Sequence, residues 1–124
     1  MKLIKKLPDA EFEIMQIVWQ NEPPMSTNQI ISHLRTGNTW KPQTVLTLLV
    51  RLIDKGFLCS EKIGKERTYS PIVSREEYLR METGSFFDKL HGNSIRSLVS
   101  TLYDGKRLSE SEIADLRSWL AERM

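Results

Sequence analysis

Residues 40–57 read WKPQTVLTLLVRLIDKGF and contain an amphipathic helix with its own start and stop signals. Pro42 suits the first helical turn, where a missing N–H costs no hydrogen bond, and Gly56 suits the left-handed position just past a helix end. Apolar residues recur at the spacing of a buried helical face. They are Val45, Leu48, Leu49, Leu52 and Ile53. The stretch therefore predicts a helix that packs one side into a core.

The opposite side of this helix carries side chains that can hydrogen-bond to the base edges of DNA. They are Gln43, Thr44, Thr47, Arg51 and Asp54. An amide, small hydroxyls and a guanidinium can approach bases closely, whereas a helix side that only meets solvent usually carries Glu and Lys. Taken alone, the stretch favours an ordinary amphipathic helix whose outer side only meets solvent. The neighbouring segments have to decide between the two.

Two helices are expected before this one. The first begins near Pro8 and stops at Pro23 and Pro24, because proline cannot supply an N–H. The second begins at the capping residues Ser26 and Thr27, and a turn over residues 35–39 follows it. Two short helices joined by a Gly-containing turn form a helix-turn-helix unit. This context favours DNA binding over a helix whose outer side only meets solvent.

A β-hairpin is predicted directly after the helix-turn-helix. Residues 57–62 and 67–72 read as two strands, and residues 63–66 can close the hairpin between them. At and beside the tip lie Lys62, Lys65 and Arg67. A cationic hairpin in this position is typical of the wing of a winged helix. The alternative is a hairpin whose cations serve only solubility.

Residues 74–124 are predicted to form three further helices, which begin at Ser74, near Ile95 and at Ser109. So short a segment cannot bury its many large apolar side chains alone, and a symmetric partner would cover them. The candidate dimer interface consists of Tyr78, Phe86, Phe87, Leu90, Ile95, Leu98, Val99, Leu102, Ile113, Leu116, Trp119 and Leu120. The alternative is a monomer in which these helices fold back onto the winged domain.

The fold class expected is therefore mainly α with a small β-hairpin: a winged helix-turn-helix DNA-binding domain over residues 1–73, then a three-helix dimerisation domain over residues 74–124. The candidate DNA-binding residues are Ser26, Thr27, Trp40, Lys41, Gln43, Thr44, Thr47, Arg51, Lys62, Lys65 and Arg67. Charge supports the division, since the first segment holds ten Lys and Arg against seven Asp and Glu, and the second holds eight against nine. A basic segment can meet a polyanion.

Composition also excludes several classes of protein. The single cysteine, Cys59, rules out an internal disulfide and fits a reducing compartment, and its apolar surroundings predict a buried filler. The basic start of the chain has no apolar signal core after it, and no run is long enough for a membrane span, so a cytoplasmic protein is expected. We expect no enzyme, no cofactor and no metal site, since no nucleophile–base pair is evident and His33 and His91 are too few and scattered.

The chain resembles the penicillinase-repressor family of the BlaI/MecI type along nearly its whole length. The first matching stretch reads DAEFEIM at residues 9–15, with Val18-Trp19 after it, and the second reads WKPQTVLTLLVRL at residues 40–52, with Lys55-Gly56-Phe57 after it. The family's final helix is matched by Leu108-Ser109, Glu112-Ile113 and Leu116. The paired Trp-x-Pro-x-Thr and Thr-x-x-x-Arg-Leu spacings are specific.

The resemblance implies a homodimeric repressor of β-lactamase or penicillin-binding-protein genes that binds a palindromic operator in double-stranded DNA. It implies that Thr44, Thr47 and Arg51 occupy operator-contacting positions, with Trp40 near the DNA backbone. Gln43 stands where the best-known members have Lys, although Lys41 lies nearby. Lys favours guanine, whereas Gln pairs best with adenine.

The resemblance also implies relief of repression through proteolytic cleavage after a membrane-bound sensor-protease detects a β-lactam. Well-known members are cut at an Asn-Phe bond, and the matching bond here is Thr101-Leu102. That departure is compatible with a different protease specificity or with no cleavage. Copper-responsive relatives carry a Cys-rich C-terminal motif, which this chain lacks.

Two other functions stay open on the sequence. A MarR-like regulator switched by a small molecule would have helices flanking the winged domain at both ends, whereas only seven residues precede the first helix here. A winged helix used for protein–protein contacts would not need Thr and Arg at the matched positions. It should also show no salt-dependent affinity for DNA.

Overall fold

The computed structural model describes residues 4–34 and 37–124, which form six helices and a three-stranded antiparallel sheet. In chain order the elements are α1 (Asp9–Gln20), β1 (Met25–Ser26), α2 (Thr27–Ser32), α3 (Pro42–Asp54), β2 (Leu58–Ile63), β3 (Glu66–Pro71), α4 (Arg75–His91), α5 (Ile95–Asp104) and α6 (Glu110–Ala121). The mainly helical fold with a wing is the one expected. Residues 35 and 36 of the expected turn, and residues 1–3, lie outside the described part of the chain.

The chain divides into two compact units, a first unit that ends at Glu82 and a second unit that begins at Thr83. The expected division at residues 73 and 74 concerned which part binds DNA and which part dimerises, and it stays a prediction.

The helix starts follow the signals in the sequence. The Ser26 Oγ accepts a hydrogen bond from the Gln29 N–H at 3.2 Å, and the Gln29 Oε1 accepts one from the Ser26 N–H at 2.8 Å. This capping box starts α2. Pro42 occupies the first turn of α3, and Gly56 takes the left-handed conformation after it, with φ +81°.

The core of the first unit lies between α1, α2, α3 and the sheet. Its fully buried side chains include Ile14, Met15, Val18, Ile30, Val45, Leu49, Leu52, Phe57 and Leu58. The prediction of a buried side of α3 is confirmed, since Val45, Leu49 and Leu52 have no exposed surface at all. Burial of such side chains is the main stabilising contribution to a domain of this size.

The sheet has the order β1-β3-β2, and β1 was not expected from the sequence. β1 pairs Met25 with Tyr69 and Ser26 with Thr68, so it extends the hairpin by one short strand. A strand of two residues is too short to show any alternation. The hairpin itself is confirmed, with its turn at Gly64 and Lys65 between β2 and β3.

Cys59 is exposed, so the prediction that it is a buried filler is wrong. Side chains alternate between the two faces of a strand, and in β2 Leu58 points into the core while Cys59 points away from it. Its Sγ lies 3.6 Å from the carbonyl oxygen of Ser70 on the neighbouring strand.

The start of α4 belongs to the first unit. Ser74 and Glu77 form the predicted capping box, with N···O distances of 3.1 Å in both directions. Tyr78 is only 2% exposed, and its ring contacts the rings of Phe12 and Phe57. Its hydroxyl oxygen accepts a 2.8 Å hydrogen bond from the Leu7 N–H.

The second unit consists of the end of α4 together with α5 and α6. Gly92 and Asn93 both have positive φ and follow the end of α4 at His91. The last helix begins at Ser109 as predicted, and there Ser109 and Glu112 form a capping box. Within the described part of the chain, no helix has the length and apolar character needed to cross a membrane.

Candidate nucleic-acid interface

The outer face of α3 is the side turned away from the core, and it contains every exposed residue between Gln43 and Asp54. They are Gln43, Thr44, Leu46, Thr47, Val50, Arg51 and Asp54. The side chains of α3 that were predicted to meet DNA are therefore accessible and lie together. Because the opposite side of α3 is anchored by fully buried residues, the outer face is held on a rigid element.

The hydrogen-bonding groups on the outer face are free to meet a ligand. Among the described residues, none makes a hydrogen bond or ion pair with the side chains of Gln43, Thr44 or Arg51. The Thr47 hydroxyl donates to the Gln43 carbonyl oxygen at 3.0 Å. That bond fixes the Thr47 side chain and leaves its oxygen able to accept. An amide, two hydroxyls and a guanidinium on one face can read base edges.

Trp40 and Lys41 lie immediately before α3. Trp40 is half-buried against the core, and its backbone N–H donates to the Asn38 Oδ1 at 2.8 Å. Lys41 is exposed, and its carbonyl oxygen accepts from the N–H groups of Thr44 and Val45 at 2.9 and 3.2 Å. Lys41 is thus the residue immediately before the first turn of α3, where its positive charge favours an anion.

Ser26 and Thr27 belong to the start of α2 and not to the outer face of α3. Ser26 is 6% exposed and its hydroxyl caps α2, while Thr27 is half-buried as the first residue of that helix. The structure therefore assigns Ser26 to the start of α2 and leaves it almost no surface for a ligand.

The wing formed by β2, β3 and their turn presents the three predicted cations. Lys62, Lys65 and Arg67 are all exposed, and Lys62 lies directly opposite Arg67 across the hairpin. The Arg67 Nη1 donates to the Ser60 Oγ at 3.0 Å. Like charges facing each other across two strands are unfavourable, and a nearby anion would relieve that cost.

An ion pair that was not expected joins α3 to α1. The Lys55 Nζ contacts the Glu11 Oε1, and Glu11 is buried although Lys55 is largely exposed. The sequence contained a signal for this burial, because Glu11 lies three and four residues before Ile14 and Met15, on the apolar side of α1. The pair fixes the C-terminal end of α3.

The candidate dimer-interface residues differ in exposure. Phe86, Leu90, Ile95, Leu102, Leu116, Trp119 and Leu120 are exposed, while Phe87, Leu98, Val99 and Ile113 are half-buried. Tyr78 instead lies in the core of the first unit, where it has almost no surface to offer a partner. Large exposed apolar groups on one short unit mark a surface that another molecule could cover.

The Thr101–Leu102 bond lies in the last turn of α5. The Thr101 hydroxyl donates to the Ser97 carbonyl oxygen at 2.8 Å, and the Thr101 carbonyl oxygen accepts from the Gly105 N–H at 3.0 Å. The Leu102 carbonyl oxygen accepts from the Arg107 N–H at 2.8 Å. The carbonyl groups of Thr101 and Leu102 are therefore both hydrogen-bonded at the end of α5.

Burial raises the pKa of the Tyr78 hydroxyl to about 12. The hydrogen bond from the Leu7 N–H opposes this rise, and the Glu82 carboxylate adds to it.

Across residues 4–34 and 37–124, no three His, Cys, Asp or Glu side chains are grouped so that they could hold a metal ion.

Comparison with known proteins connects this geometry to characterised repressors. The family model described as penicillinase repressor matches residues 7–122. The penicillinase repressor of Bacillus licheniformis is 34% identical over 122 residues, which are 98% of this chain and 94% of the relative. The solution structure of the DNA binding domain of the repressor BlaI matches with a TM-score of 0.54 and 38% identity, over 63% of this chain and 94% of that one. The monomeric Bacillus licheniformis BlaI in complex with the blaP half-operator matches with a TM-score of 0.52, at the same identity and coverage.

Proposed function

Since this chain belongs to the penicillinase repressor family, we propose that it is a cytoplasmic homodimeric repressor that binds a palindromic operator and blocks transcription. Each chain contributes one winged helix, and the outer face of α3 enters the major groove of one half-site. Contacts from the wing and from Lys41 to phosphates position the protein, and α3 reads the bases.

The observation that carries this proposal is the state of the outer face of α3. The side chains of Gln43, Thr44 and Arg51 are exposed and have no hydrogen-bond or ion-pair partner among the described residues, on a helix whose other side packs into the core. Side chains that are accessible and held on a rigid element suit the recognition of base edges. The half-operator complex of the similar BlaI structure supports the same use of this fold.

Dimerisation through the second unit is the next step of the proposal. Its support is the exposed apolar set on α4, α5 and α6, which includes Phe86, Leu116 and Trp119. Two joined chains bind two half-sites with an effective concentration that a single chain lacks. A palindromic operator would therefore be bound much more tightly than one half-site.

We further propose that the chain controls genes of β-lactam resistance, encoding a β-lactamase or a penicillin-binding protein. Repression ends when the Thr101–Leu102 bond is cut in response to a membrane-bound β-lactam sensor-protease. The support is membership of the family and the position of this bond within the proposed dimer element. Cutting there separates α6 from the rest of the chain.

The experiment that tests DNA recognition is a fluorescence-anisotropy titration at physiological salt. The full chain is titrated into a labelled duplex from the promoter of its own gene, and into a scrambled duplex of equal length. We expect tight binding of two chains per promoter duplex, lost on the scrambled duplex and in Thr47→Ala. Thr83→Ala, an exposed threonine of α4 outside both α3 and the wing, is the matched control and should bind as the wild type does.

Equal and weak binding to both duplexes would contradict the proposal. Only an electrostatic association would then remain, and a role in protein–protein contacts would explain the winged helix better.

A further inference from the structure

Two apolar side chains lie exposed on the outer face of α3, among the groups proposed to read DNA. Leu46 is 37% exposed and Val50 is 56% exposed. They are four residues apart and therefore neighbours on the helix surface. With about 100° of rotation per residue, Val50 lies near the middle of the outer face, between Leu46 and Thr47. The pair forms a small apolar strip beside the polar side chains.

An apolar strip at this place has one natural counterpart in a DNA major groove. The C5-methyl group of thymine is the apolar feature that a base pair presents there, and aliphatic side chains contact it. Gln43, one helical turn before Leu46 and Thr47, pairs best with adenine. The Gln43 amide is thus suited to adenine and the apolar strip to thymine, which are the two bases of an A·T pair.

The strip is poorly suited to a protein partner. Two side chains offer far less apolar surface than the several hundred Å² that each partner buries in a stable interface. The surrounding residues, Gln43, Thr47 and Arg51, are polar or charged, exposed, and able to serve the same polar groove. Exposed apolar groups next to unpaired hydrogen-bonding groups match the mixed surface of a base pair.

We infer that Leu46 and Val50 are specificity-determining residues that contact thymine methyl groups in each half-site. This inference rests on the proposed function, because it names the bases that the outer face of α3 prefers. It predicts that thymine is required at one or two positions of the half-site for its methyl group, and not for its hydrogen bonds.

The test replaces thymine by deoxyuridine, which removes the methyl group and keeps the base pairing. The full chain first selects its preferred duplex from a random-sequence DNA library. Thymines of the selected half-site are then replaced by deoxyuridine one at a time, and affinity is measured by anisotropy with wild type, Leu46→Ala and Val50→Ala. Ile72→Ala is the matched control, since Ile72 is 58% exposed and lies outside α3.

We expect wild type and Ile72→Ala to bind about fourfold more weakly at one or two of these positions, the equivalent of one lost methyl contact. Leu46→Ala or Val50→Ala should bind the thymine duplex more weakly by a similar factor and be indifferent to deoxyuridine at the matching position. Such a cycle isolates the contact between one side chain and one methyl group.

Equal wild-type affinity for every deoxyuridine duplex would overturn the inference while leaving operator recognition intact. A loss that persists undiminished in both alanine variants would also overturn it. If Leu46→Ala or Val50→Ala instead changes the oligomeric state of the free protein in sedimentation, the strip joins copies of the chain and the inference is wrong. Failure to enrich any duplex would count against the proposed function itself, which separates the two failures.

Discussion

The first unit and the second unit differ in where their large apolar side chains lie. In the first unit, Ile14, Leu49 and Phe57 are fully buried between helices and sheet. In the second, no residue of α5 or α6, which lie wholly within the described chain, is buried, and Trp119 and Leu120 are about half exposed. The first unit therefore has a core of its own, whereas the second has apolar surface that a partner could cover.

The two units should therefore differ in how their stability depends on protein concentration. Folding of the first unit depends on contacts within a single chain, so it should not depend on protein concentration. Covering the second unit with another copy would make its order depend on concentration.

A chain that ends at Thr101 should lose operator binding while its first unit stays folded. We expect it to sediment as a monomer and to bind the palindromic operator about 10²- to 10⁴-fold more weakly, because the avidity of two joined sites is gone. A duplex with a single half-site is the control, since the shortened and full chains should bind it alike. A shortened chain that still sediments as a dimer would break the contrast between the units.

Leu49→Ala should lower the free energy of unfolding by about 2–5 kcal/mol, because it leaves a cavity in a fully packed site. Leu120→Ala, in an exposed position of α6, should cost less than about 1 kcal/mol at protein concentrations where chains are separate. Urea unfolding at a low and a high protein concentration checks both. If Leu120→Ala were as costly as Leu49→Ala at every concentration, the second unit would have a core within one chain.

Tyr78 should make the first unit sensitive to alkali. Its folded-state pKa of about 12 is above the ordinary value of about 10, so its contribution is complete below pH 10 and is lost as pH rises towards 12. The loss should be roughly 2 kcal/mol, measured by urea unfolding between pH 9 and 12. Tyr78→Phe should lack it, whereas Tyr103→Phe, an exposed position in the second unit, should behave as the wild type. An identical pH profile for all three would contradict the role of burial.

Lys65→Ala should weaken operator binding on every sequence and reduce the slope of log affinity against log salt by about one unit. The removed charge lies at the tip of the wing, where a phosphate contact is proposed. Lys106→Ala, in the second unit, should leave the slope unchanged because that unit is not expected to touch DNA. An unchanged slope for Lys65→Ala would remove the wing from the interface.

The sequence predicted those elements that carry local signals. Pro42 and Gly56 delimit α3, and the pairs Ser74 with Glu77 and Ser109 with Glu112 begin α4 and α6 as expected. Such signals act within a few residues, so neither packing nor partners can obscure them. The polar side chains of the outer face of α3 were found in the same way, from helical spacing alone.

Features that depend on distant contacts were not predicted. β1 exists because Met25 pairs with Tyr69, more than forty residues away, and no pattern in two residues announces such pairing. The ion pair of Glu11 with Lys55 joins residues 44 positions apart, and Tyr78 is in the core because Leu7, Phe12 and Phe57 surround it. Leu46 and Val50 were assigned to neither side of α3 from the sequence, and the structure places both among its exposed residues.

The hydrogen bonds around the Thr101–Leu102 bond have a kinetic consequence for induction. A protease acts on backbone that has transiently opened, and when reclosing is fast the cutting rate follows the population of the open form. The bonds from Gly105 to Thr101 and from Arg107 to Leu102 set that population for the end of α5. If this bond is cut as proposed, a more stable end of α5 should slow the cutting, and with it the loss of repression.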